Sequence, residues 1–450
     1  MKRVLTIAGS DSSGGAGIEA DIKTLAAMGV HGTTVITSVT AQNSGGFISS
    51  APMPSETVAE RIKATLGDIG ADAVKTGMLV NKDIVQVVAD SLKKFKVSNL
   101  VVDPIISAGL GGKLLDKEGA DMMIKKLIPL STLVTPNIPE AEFISEIKIK
   151  NYNDIKKAAQ IIGNKKTSVL IKGGHINLKK GFSVDTLFHN GQFISFESER
   201  LEKGKLHGTG CVLSSAIAAG LANGRSIPDA VGWGKNFINE AIKGSYSLGK
   251  NELGFLNQSH SLIDKGKRYT LLEEMDEAVD ILTSMPIGSL IPEIQSNLVA
   301  AIEGAEGVDD VVGIPGRIIK VGEWVTTVSP PSFGGSNHVA RIVLTAMRFD
   351  SSMRSCINLA YSPEIIKACR VAGLKVKDFS RNDEPKFVKD KEGSTLEWGV
   401  SEAIKKCGFV PDIIYDKGGV GKEAVSRVMG TSPLDVIEKV EKIAEVLGCL

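Results

Sequence analysis

A glycine-rich turn that ends in a cysteine, where a helix is expected to begin, carries the most evident chemistry in this sequence. The stretch HGTGCVLSS places Gly208, Thr209 and Gly210 before Cys211, and small residues compatible with a helix follow. Glycines allow the backbone to approach a ligand closely, and a helix N-terminus presents free N–H groups to an anion. The same helix end lowers the pKa of a thiol. The pattern predicts an anion site in which Cys211 is a base or a nucleophile; the alternative is a buried small residue that starts a helix.

Further polar residues stand at the ends of predicted strands, where open α/β sheets bind ligands. Asp103 lies in VVDP, Asn137 and Glu140 lie in TPNIPEAE, and Lys172 lies in IKGGH. Converging acidic groups suit Mg²⁺ with phosphate, so Asp103 and Glu140 are candidate metal ligands. Lys172 is a candidate contact for the phosphates of a nucleotide. Taken alone, each acidic motif is better explained by a helix-capping turn.

Together with HGTGC, these residues predict phosphoryl transfer from ATP. That reaction needs neutralised phosphates, a metal ion and a base near the attacking hydroxyl. We expect Gly208, Thr209 and Gly210 to hold the charge of the transferring phosphoryl group. Cys211 would accept the hydroxyl proton.

The second half of the sequence carries basic residues suited to phosphates. In FGGSNHVARIVL, Ser336 is a candidate helix cap, so His338 falls in the first turn and Arg341 lies three residues later on the same face. Arg317 follows Pro-Gly in GIPGRI, and Arg381 lies in the loop FSRNDEP. Arginine forks bind phosphates, although a single arginine is more often a surface residue and a single histidine more often structural.

The stretch DKGGVGKEA contains Lys417 and looks superficially like a phosphate-binding loop. Asp416 occupies the place of the first glycine that such a loop requires. We interpret it as a glycine-rich turn from a strand into a helix, able to bind phosphate weakly.

The elements that must position these residues alternate along the first 260 residues. Short β-branched runs such as RVLTIA, NLVVDPII and SVLIKGG alternate with amphipathic segments such as IEADIKTLAAMG, closed by Gly29. This alternation predicts an α/β fold with a mostly parallel sheet covered on both faces. The two alternating runs around Asn190 and Gly191 predict an antiparallel hairpin at the border of that sheet.

A second, smaller α/β domain is expected after a polar linker at roughly residues 255 to 270. LLEEMDEAVDILTSM and LIPEIQSNLVAAIEG are interpreted as helices, and DVVGIP, SCINLAYS, KVKDFS and DIIYDKG as strands. The last helix is expected to begin at Ser432 and Pro433, a cap followed by proline at the first helical position.

Composition excludes several classes of protein. The 450 residues carry a net charge of +1 and 42% hydrophobic residues, which indicates a globular protein of more than one domain without an overall field for nucleic acid or membrane. The five cysteines form no C-x-x-C pair, which argues against a zinc site or a disulfide framework, and Cys356 and Cys369 look like core thiols. The first apolar run is too short for a signal peptide, so we expect a cytoplasmic location. We also expect a homo-oligomer.

The first half resembles a known enzyme family. TIAGSDSSGGAGIEADIKT, SVTAQNS, KTGML, VVDPI, TPNIPEAE, IKGGH, DTLF and HGTGC occur in the order found in hydroxymethylpyrimidine/phosphomethylpyrimidine kinases of thiamine biosynthesis. The resemblance implies a ribokinase-like domain over residues 1–262 and two successive ATP-dependent phosphorylations that give the pyrimidine diphosphate. It further implies that Gln42 reads the aminopyrimidine edge, that Gly9 and Asp21 line the substrate pocket, and that Met78 lies on its apolar side. A carboxamide suits this ring because it donates and accepts in one plane.

The second half resembles the ThiN-type thiamine phosphate synthase domain. GSLIPEIQSNL, GIPGRI, FGGSNHVARIVL, RSCINLAYS, SRNDEP, STLEWGV and PDIIYDKGGVGKE carry this resemblance over residues 272–450. It implies condensation of the pyrimidine diphosphate with thiazole phosphate and release of diphosphate. By this resemblance Arg317 and His338 are the leading catalytic candidates, and Arg341 and Lys417 are further substrate-binding candidates.

Two alternatives stay open from the sequence. In the first, the C-terminal domain senses thiamine phosphates without catalysis; the absence of an evident helix-turn-helix or basic patch, together with the presence of Arg317 and His338, favours the enzyme. In the second, the chain is a pyridoxal kinase with an accessory domain. Pyridoxal kinases usually carry aspartate where Cys211 stands, so cysteine together with TAQN favours the pyrimidine.

Overall fold

The computed structural model describes residues 1–107, 114–163, 166–174, 179–201, 203–385, 394–419 and 421–450. The chain divides into two compact units, Met1–Ile263 and Asp264–Leu450. His175 of the IKGGH motif and Val420 of the DKGGVGKEA turn lie outside the described residues. None of the described helices has the length and apolar character needed to cross a membrane.

The first unit alternates strands and helices because β-branched runs recur between amphipathic segments. Its strands are β1 (Arg3–Asp11), β2 (His31–Asn43), β3 (Gly46–Pro52), β4 (Ala73–Thr76), β5 (Leu100–Val102), β6 (Leu133–Val134), β7 (Ser168–Ile171), β8 (Phe182–His189), β9 (Gln192–Glu199), β10 (Leu206–His207), β11 (Tyr246–Leu248) and β12 (Leu253–Phe255). Its helices are α1 (Gly17–Ala27), α2 (Ser55–Ala64), α3 (Lys82–Lys94), α4 (Lys117–Met122), α5 (Ile138–Ser145), α6 (Tyr152–Ile162), α7 (Thr209–Ala222) and α8 (Ile227–Lys243).

Nine of these strands form one sheet in the order β3-β2-β1-β4-β5-β6-β7-β8-β9. The pairings from β2 to β7 are parallel, while β3, β8 and β9 run antiparallel to their neighbours. Buried side chains of α1, α7 and α8 form a core on one side of the sheet, and those of α2, α3 and α4 form another. The predicted mostly parallel α/β fold is confirmed.

The predicted hairpin is also confirmed. β8 and β9 pair antiparallel up to His189 and Gln192, and the two residues between them are the turn. Asn190 and Gly191 have φ angles of 49° and 77°, the left-handed pair that a tight hairpin of this hand requires.

The segment expected to be a polar linker is helical from His260. Helix α9 (His260–Thr283) runs through it, and the boundary between the two units falls inside this helix. Leu271, Met275 and Leu282 of α9 are buried in the core of the second unit. Their spacing of four and seven residues places them on one helix face. The helix predicted for LLEEMDEAVDILTSM is therefore confirmed as far as Thr283.

The second unit contains a seven-stranded sheet in the order β17-β14-β13-β18-β21-β20-β19 and a separate hairpin of β15 and β16. Only β19 and β20 pair in parallel; the other pairings of this sheet between described residues are antiparallel. The strands are β13 (Leu298–Ala301), β14 (Val311–Gly313), β15 (Ile318–Val321), β16 (Trp324–Thr327), β17 (Ser332–Phe333), β18 (Ser355–Ala360), β19 (Val376–Asp378), β20 (Ile413–Asp416) and β21 (Val425–Gly430). The helices are α10 (His338–Met347), α11 (Pro363–Val371), α12 (Ser394–Cys407) and α13 (Pro433–Leu447).

The helix predicted for LIPEIQSNLVAAIEG is wrong. Its C-terminal part is strand β13, which lies between β14 and β18, and all four residues of the strand are buried. A short apolar run buried on both faces has the same appearance in sequence as a buried helix segment.

The start of the last helix is confirmed. The Ser432 hydroxyl accepts a hydrogen bond from the backbone N–H of Asp435, and Pro433 is the first helical residue. The turn at DKGGVGKEA, by contrast, joins β20 to the antiparallel strand β21 rather than to a helix.

Candidate functional sites

Helix α7 begins at Thr209 because Gly208 before it adopts a left-handed backbone with φ +84°. A Cβ atom on Gly208 would lie 1.8 Å from the carbonyl oxygen of Gly15, so only glycine allows this loop to pack against the turn after β1. The ring Nε2 of His207 lies 2.9 Å from Asp11 Oδ2, which joins the same two segments. The start of α7 is therefore held in place by backbone contact and by one buried polar pair.

Asp11 organises the turn that faces this helix. Its carboxylate accepts hydrogen bonds from the backbone N–H groups of Ser13 and Ala16 at 2.8 and 2.7 Å. Burial alone would raise the pKa of Asp11, but the hydrogen bonds from His207 and Ser13 outweigh it and hold the pKa well below its usual range. Asp11 is thus a permanent anion next to the glycine-rich turn.

A cavity of about 520 Å³ opens at the carboxyl ends of β1, β4 and β5. The structure brings nearly all candidate residues of the first half to its wall. The lining includes Gly9, Gln42, Met78, Asp103, Glu140, Lys172, Gly208, Thr209, Gly210 and Cys211. Residues far apart in sequence thus meet at one site, as the positions of the parallel strand ends require.

Asp21 is not among the described residues that line this cavity. The family resemblance implied that Asp21 lines the substrate pocket, and the structure does not place it there. Its side chain has no exposed surface, and Lys75 Nζ lies 2.7 Å from Asp21 Oδ2. The hydroxyls of Thr6 and Ser215 donate to the same carboxylate at 2.5 and 2.7 Å. Asp21 faces the interior between α1, β1 and α7, where it neutralises a buried ammonium group.

Lys172 and two acidic residues form the polar wall of the cavity. Lys172 Nζ lies 2.9 Å from Asp103 Oδ1. Burial lowers the pKa of Lys172, but Asp103 and Glu140 outweigh burial and raise it above its usual value. The ammonium is therefore charged and held at the cavity by its two carboxylate neighbours.

Glu140 takes part in the helix-capping turn that its motif predicts. Asn137 and Glu140 form a reciprocal capping box at the start of α5, with hydrogen bonds of 2.8 and 2.9 Å. Burial raises the pKa of Glu140 to about 7, Lys172 opposes this rise and Asp103 adds to it. The capping interpretation is confirmed, and the capped carboxylate also lines the cavity.

Asp103 and Glu140 fit a magnesium ion shared with phosphate. Magnesium in phosphate sites needs only one or two protein carboxylates, because water and phosphate oxygens complete its shell. Among the described residues, no group of three or more His, Cys, Asp or Glu side chains is arranged to hold a metal alone. The two buried carboxylates, one of them with a raised pKa, are the part of the wall that a divalent cation would stabilise.

Cys211 is buried in the first turn of α7, with only 7% of its surface exposed. Burial raises its pKa to about 11; Lys75 opposes this rise, and Asp21 and Asp103 add to it. The prediction that the helix end lowers this pKa is wrong, because removal of the thiolate from water outweighs the effect of the helix end. At neutral pH the side chain is a thiol.

A second cavity of about 330 Å³ adjoins the first. Lys172, Thr209 and Gly210 line both cavities. Sequence reasoning missed the residues on the far side of the smaller cavity, among them Asp185 and Lys235, whose side chains form an ion pair of 2.5 Å. A lysine within the apolar pattern of α8 was the available signal, since lysine is rarely buried unless it is paired.

In the second unit a cavity of about 630 Å³ contains both leading candidates, Arg317 and His338. Arg317 has a φ of +79°, a conformation that non-glycine residues rarely adopt, and its guanidinium donates to the carbonyl of Ile294. The preceding loop is fixed by Asn297, whose amide bonds the backbone N–H and carbonyl of Ile314. His338 is the first residue of α10, as predicted, although Asn337 rather than Ser336 precedes the helix.

Arg341 and Lys417 are not brought to this cavity. Arg341 pairs with Glu397 at 3.2 Å on the surface, although it lies three residues after His338 on α10. Lys417 is exposed, and neither residue belongs to the described lining.

Two further arginines line the cavity instead: Arg381, which the sequence analysis named among the basic residues suited to phosphates, and Arg427, which it did not single out. Arg381 Nε lies 2.6 Å from Asp416 Oδ1, and Arg427 Nη2 lies 2.9 Å from Asp416 Oδ2. The hydroxyl of Ser296, also in the wall, is buried without a hydrogen-bond partner among the described residues. The described part of the lining has four cationic side chains and one carboxylate, that of Glu423; the cationic residues are Arg317, Arg381, Lys422 and Arg427.

Comparisons with known proteins agree with this division of sites. A phosphomethylpyrimidine kinase family model matches residues 11–255, and a thiamine-phosphate synthase ThiN model matches residues 274–442. The hydroxymethylpyrimidine/phosphomethylpyrimidine kinase of Mycobacterium tuberculosis is 41% identical over 250 residues, which cover 55% of this chain and 90% of the relative. The solved ADP complex of Bacillus subtilis pyridoxal kinase is 35% identical, covers 58% of this chain and 99% of that one, and has a TM-score of 0.53, which confirms the ribokinase-like fold of the first unit.

One relative spans both halves. The bifunctional thiamine biosynthesis protein ThiDN of Methanocaldococcus jannaschii is 33% identical over 451 residues, which cover 99% of each chain. This chain therefore belongs to the ThiDN family of bifunctional thiamine biosynthesis enzymes, which combine a hydroxymethylpyrimidine/phosphomethylpyrimidine kinase with a thiamine-phosphate synthase.

Proposed function

We propose that residues 1–262 phosphorylate the hydroxymethylpyrimidine twice and that residues 272–450 condense the resulting diphosphate with thiazole phosphate. The two family matches, one on each half, support this division. The first half then makes the compound that the second half consumes.

The kinase reaction takes place where the two cavities of the first unit meet. The observation that carries this proposal is the shared wall of Lys172, Thr209 and Gly210. The pyrimidine occupies the cavity of about 520 Å³ and ATP the cavity of about 330 Å³, so the hydroxyl and the γ-phosphate both face Lys172, Thr209 and Gly210. Positioning and charge stabilisation of this kind account for most catalysis of phosphoryl transfer.

Gln42 orients the pyrimidine. Its backbone is held by Ser12, whose hydroxyl donates to the Gln42 carbonyl at 2.7 Å and accepts from its N–H at 2.9 Å. Its carboxamide lines the cavity and can donate to a ring nitrogen while it accepts from the neighbouring amino group. Met78 and Gly9 form the adjacent wall, where the Met78 sulfur lies 3.0 Å from the place of a Cβ on Gly9.

In the first transfer the hydroxyl oxygen attacks the γ-phosphorus, the bond from that phosphorus to the ADP oxygen breaks, and the hydroxyl proton passes to the thiolate of Cys211. N–H groups at the start of α7 and the ammonium of Lys172 stabilise the moving phosphoryl group. With a pKa of about 11, the thiolate is a minor form at neutral pH but a strong base. Asp103 and Glu140 would hold Mg²⁺, which neutralises phosphate charge when bound.

In the second transfer the attacking atom is a phosphate oxygen. A phosphate monoester is ionised at neutral pH, since its second pKa is about 6. No hydroxyl proton has to be removed, so Cys211 serves the first phosphorylation and not the second.

In the second unit, the cavity of about 630 Å³ binds the two condensing substrates. Arg317 holds the charge of the departing diphosphate as the carbon–oxygen bond breaks, and His338 binds a phosphate or moves a proton. Electrons of the aminopyrimidine stabilise the methylene cation, which the thiazole nitrogen then attacks. The unpartnered, buried hydroxyl of Ser296 supports a ligand at this wall, because buried polar groups are normally hydrogen-bonded.

The test uses the full-length protein with hydroxymethylpyrimidine, ATP, Mg²⁺ and thiazole phosphate, and assays thiamine phosphate as its fluorescent oxidation product. Wild type makes the product, while Arg317→Ala and His338→Ala consume ATP normally but make none. Accumulation of the pyrimidine diphosphate by wild type without thiamine phosphate would contradict the synthase role of the second unit. Cys211→Ala in the same assay loses the first phosphorylation.

Pyridoxal is a second candidate substrate of the kinase half, because a pyridoxal kinase shares 35% identity and the fold. Parallel measurement of kcat/KM for pyridoxal and for the hydroxymethylpyrimidine decides the preference. We expect the pyrimidine to be preferred and pyridoxal to be a side substrate.

A further inference from the structure

Two arginines of the second unit share one buried carboxylate. Arg381 contacts both oxygens of Asp416, at 2.6 and 3.2 Å, and Arg427 contacts Oδ2 at 2.9 Å. Asp416 has no exposed surface, and the side chain of Arg427 is only 2% exposed. The backbone N–H of Gly418 donates a further hydrogen bond to Asp416 at 2.9 Å. The two guanidinium groups are thus fixed in orientation before any ligand arrives.

The charge of this cluster is not balanced. Among the described residues, two guanidinium groups face a single carboxylate, which leaves one excess positive charge in a wall that is largely shielded from water. Burial of an uncompensated charge is costly, so the arrangement favours an anion in the cavity. Among the described residues, each guanidinium uses two of its N–H groups in the bonds that hold it, and a guanidinium has five.

The cluster and Arg317 come from different strands of the sheet. The loop with Arg317 follows β14, whereas Arg427 is on β21 and Asp416 ends β20. In the sheet, β13 and β18 lie between β14 and β21. Three strand spacings of about 4.8 Å, roughly 14 Å, therefore separate the strand that leads to Arg317 from the strand that carries Arg427.

Neutral side chains fill the middle of this row. Asn297 precedes β13, and Asn358 on β18 is the direct cross-strand partner of Arg427. The amide oxygen of Asn358 accepts from the backbone N–H of Asn297 at 2.8 Å, and its amide nitrogen donates to the Gln295 carbonyl at 2.9 Å. Neutral amide side chains therefore lie on or just before the strands between Arg317 and the two arginines that share Asp416.

We propose that Arg381 and Arg427 form a second phosphate subsite, which binds the monoester phosphate of thiazole phosphate at a different part of the cavity wall from the diphosphate. The proposal rests on the proposed synthase function of the second unit. Two substrates that each carry phosphate on one side, and react with each other on the other side, need anion sites at two separated places. Besides Arg317, the lining includes His338 at the start of α10 and the Ser296 hydroxyl. These groups together suit the more highly charged diphosphate.

The subsite is tested by steady-state kinetics of the full-length protein with the pyrimidine diphosphate supplied directly. Arg381→Gln is expected to raise KM for thiazole phosphate about 10- to 100-fold, the loss typical of one charge-assisted phosphate contact, and to leave KM for the pyrimidine diphosphate within about twofold. Arg317→Gln is expected to act mainly on the diphosphate substrate. Arg370→Gln, an exposed arginine on α11, is the matched control and keeps both constants.

A binding measurement separates the phosphate from the rest of the ligand. Wild type should bind thiazole phosphate about 10- to 100-fold more tightly than the unphosphorylated thiazole alcohol, and Arg381→Gln should bind the two equally. Arg427→Lys, which keeps a positive charge beside the buried Asp416, serves as the second variant. It should lose most of the preference for thiazole phosphate over the unphosphorylated alcohol. If Arg381→Gln raises KM for the diphosphate instead, or changes neither KM, the subsite assignment is wrong while product formation by wild type keeps the synthase function intact. If wild type forms no thiamine phosphate, the proposed function itself fails.

Discussion

The ammonium of Lys172 lies 2.9 Å from the Asp103 carboxylate at the edge that the two kinase cavities share. The cation is therefore positioned before ATP binds. Lys172→Gln should lower kcat of the kinase reaction about 10²- to 10³-fold, because an oriented charge on the transferring group is lost, while KM for the pyrimidine changes little. Steady-state ATP consumption measures both, with the exposed Lys157→Gln as control. A rise in KM for ATP at unchanged kcat would instead mean that Lys172 binds ATP equally strongly in the ground state and in the transition state.

Cys211 should matter for one phosphorylation and not for the other. Cys211→Ala is expected to lower kcat for the hydroxymethylpyrimidine about 10²-fold or more, and to leave kcat for its monophosphate within a few-fold, because only the first substrate loses a hydroxyl proton. In wild type the first rate should rise with pH well above neutrality, because the pKa of the thiol is about 11. Separate assays with each substrate, followed by chromatography of the products, decide this. Equal loss on both substrates would assign Cys211 a role in packing or binding.

The buried pair of Asp21 and Lys75 should contribute to stability rather than to substrate affinity. Asp21→Asn leaves the ammonium of Lys75 unpaired in the interior and is expected to lower the free energy of unfolding by about 3–5 kcal/mol. The double variant Asp21→Leu with Lys75→Met should recover most of this loss, because no buried charge remains. Urea unfolding of the three proteins measures it. A stable Asp21→Asn protein with a raised KM for the pyrimidine would support the substrate role that the family resemblance implies.

The second unit should lose stability in alkali. Burial raises the pKa of Cys356 from the usual value of 9.0 to about 12, with Arg427 opposing the rise. The unfolded chain therefore releases a proton above about pH 9 that the folded chain keeps, and the free energy of unfolding falls as pH rises from there, by up to about 1.4 kcal/mol per pH unit for one thiol. Cys356→Ala should show a shallower fall than wild type between about pH 9 and about pH 12. If the free energy of unfolding falls equally steeply with pH in wild type and in Cys356→Ala, the raised pKa of Cys356 is not the cause of the alkaline loss of stability.

Much of the fold could be predicted from local patterns. The hairpin at Asn190 and Gly191 and the cap at Ser432 could be predicted because Asn-Gly is typical of tight hairpin turns and serine is typical of helix N-caps. The helix expected at LIPEIQSNLVAAIEG failed because the strand Leu298–Ala301 is buried on both faces by partners distant in sequence. Periodicity disappears when both faces of an element are covered.

The candidate sites also combine residues that the sequence predicts with properties that only the folded structure shows. Residues at strand ends and helix starts, such as Lys172 and His338, were found because the topology alone brings them to a cavity. The reversed shift in the pKa of Cys211 depends on the depth of burial, which no local pattern reveals. Arg381 and Arg427 are joined by their shared ion pairs with Asp416. In the sequence, Asp416 was notable only because it replaces the first glycine of a phosphate-binding loop.

The contact of Gly208 with Gly15 limits how this enzyme can be altered. The obstacle to a side chain at Gly208 is a carbonyl oxygen at 1.8 Å, not another side chain. Compensation by a smaller neighbour is therefore impossible, because every residue at position 15 carries the same oxygen. A search for variants that accept other alcohols should leave this loop fixed and change Gln42 and Met78, whose side chains meet the substrate cavity. Laboratory evolution of this kinase would then change its choice of substrate while the phosphoryl-transfer loop stays the same.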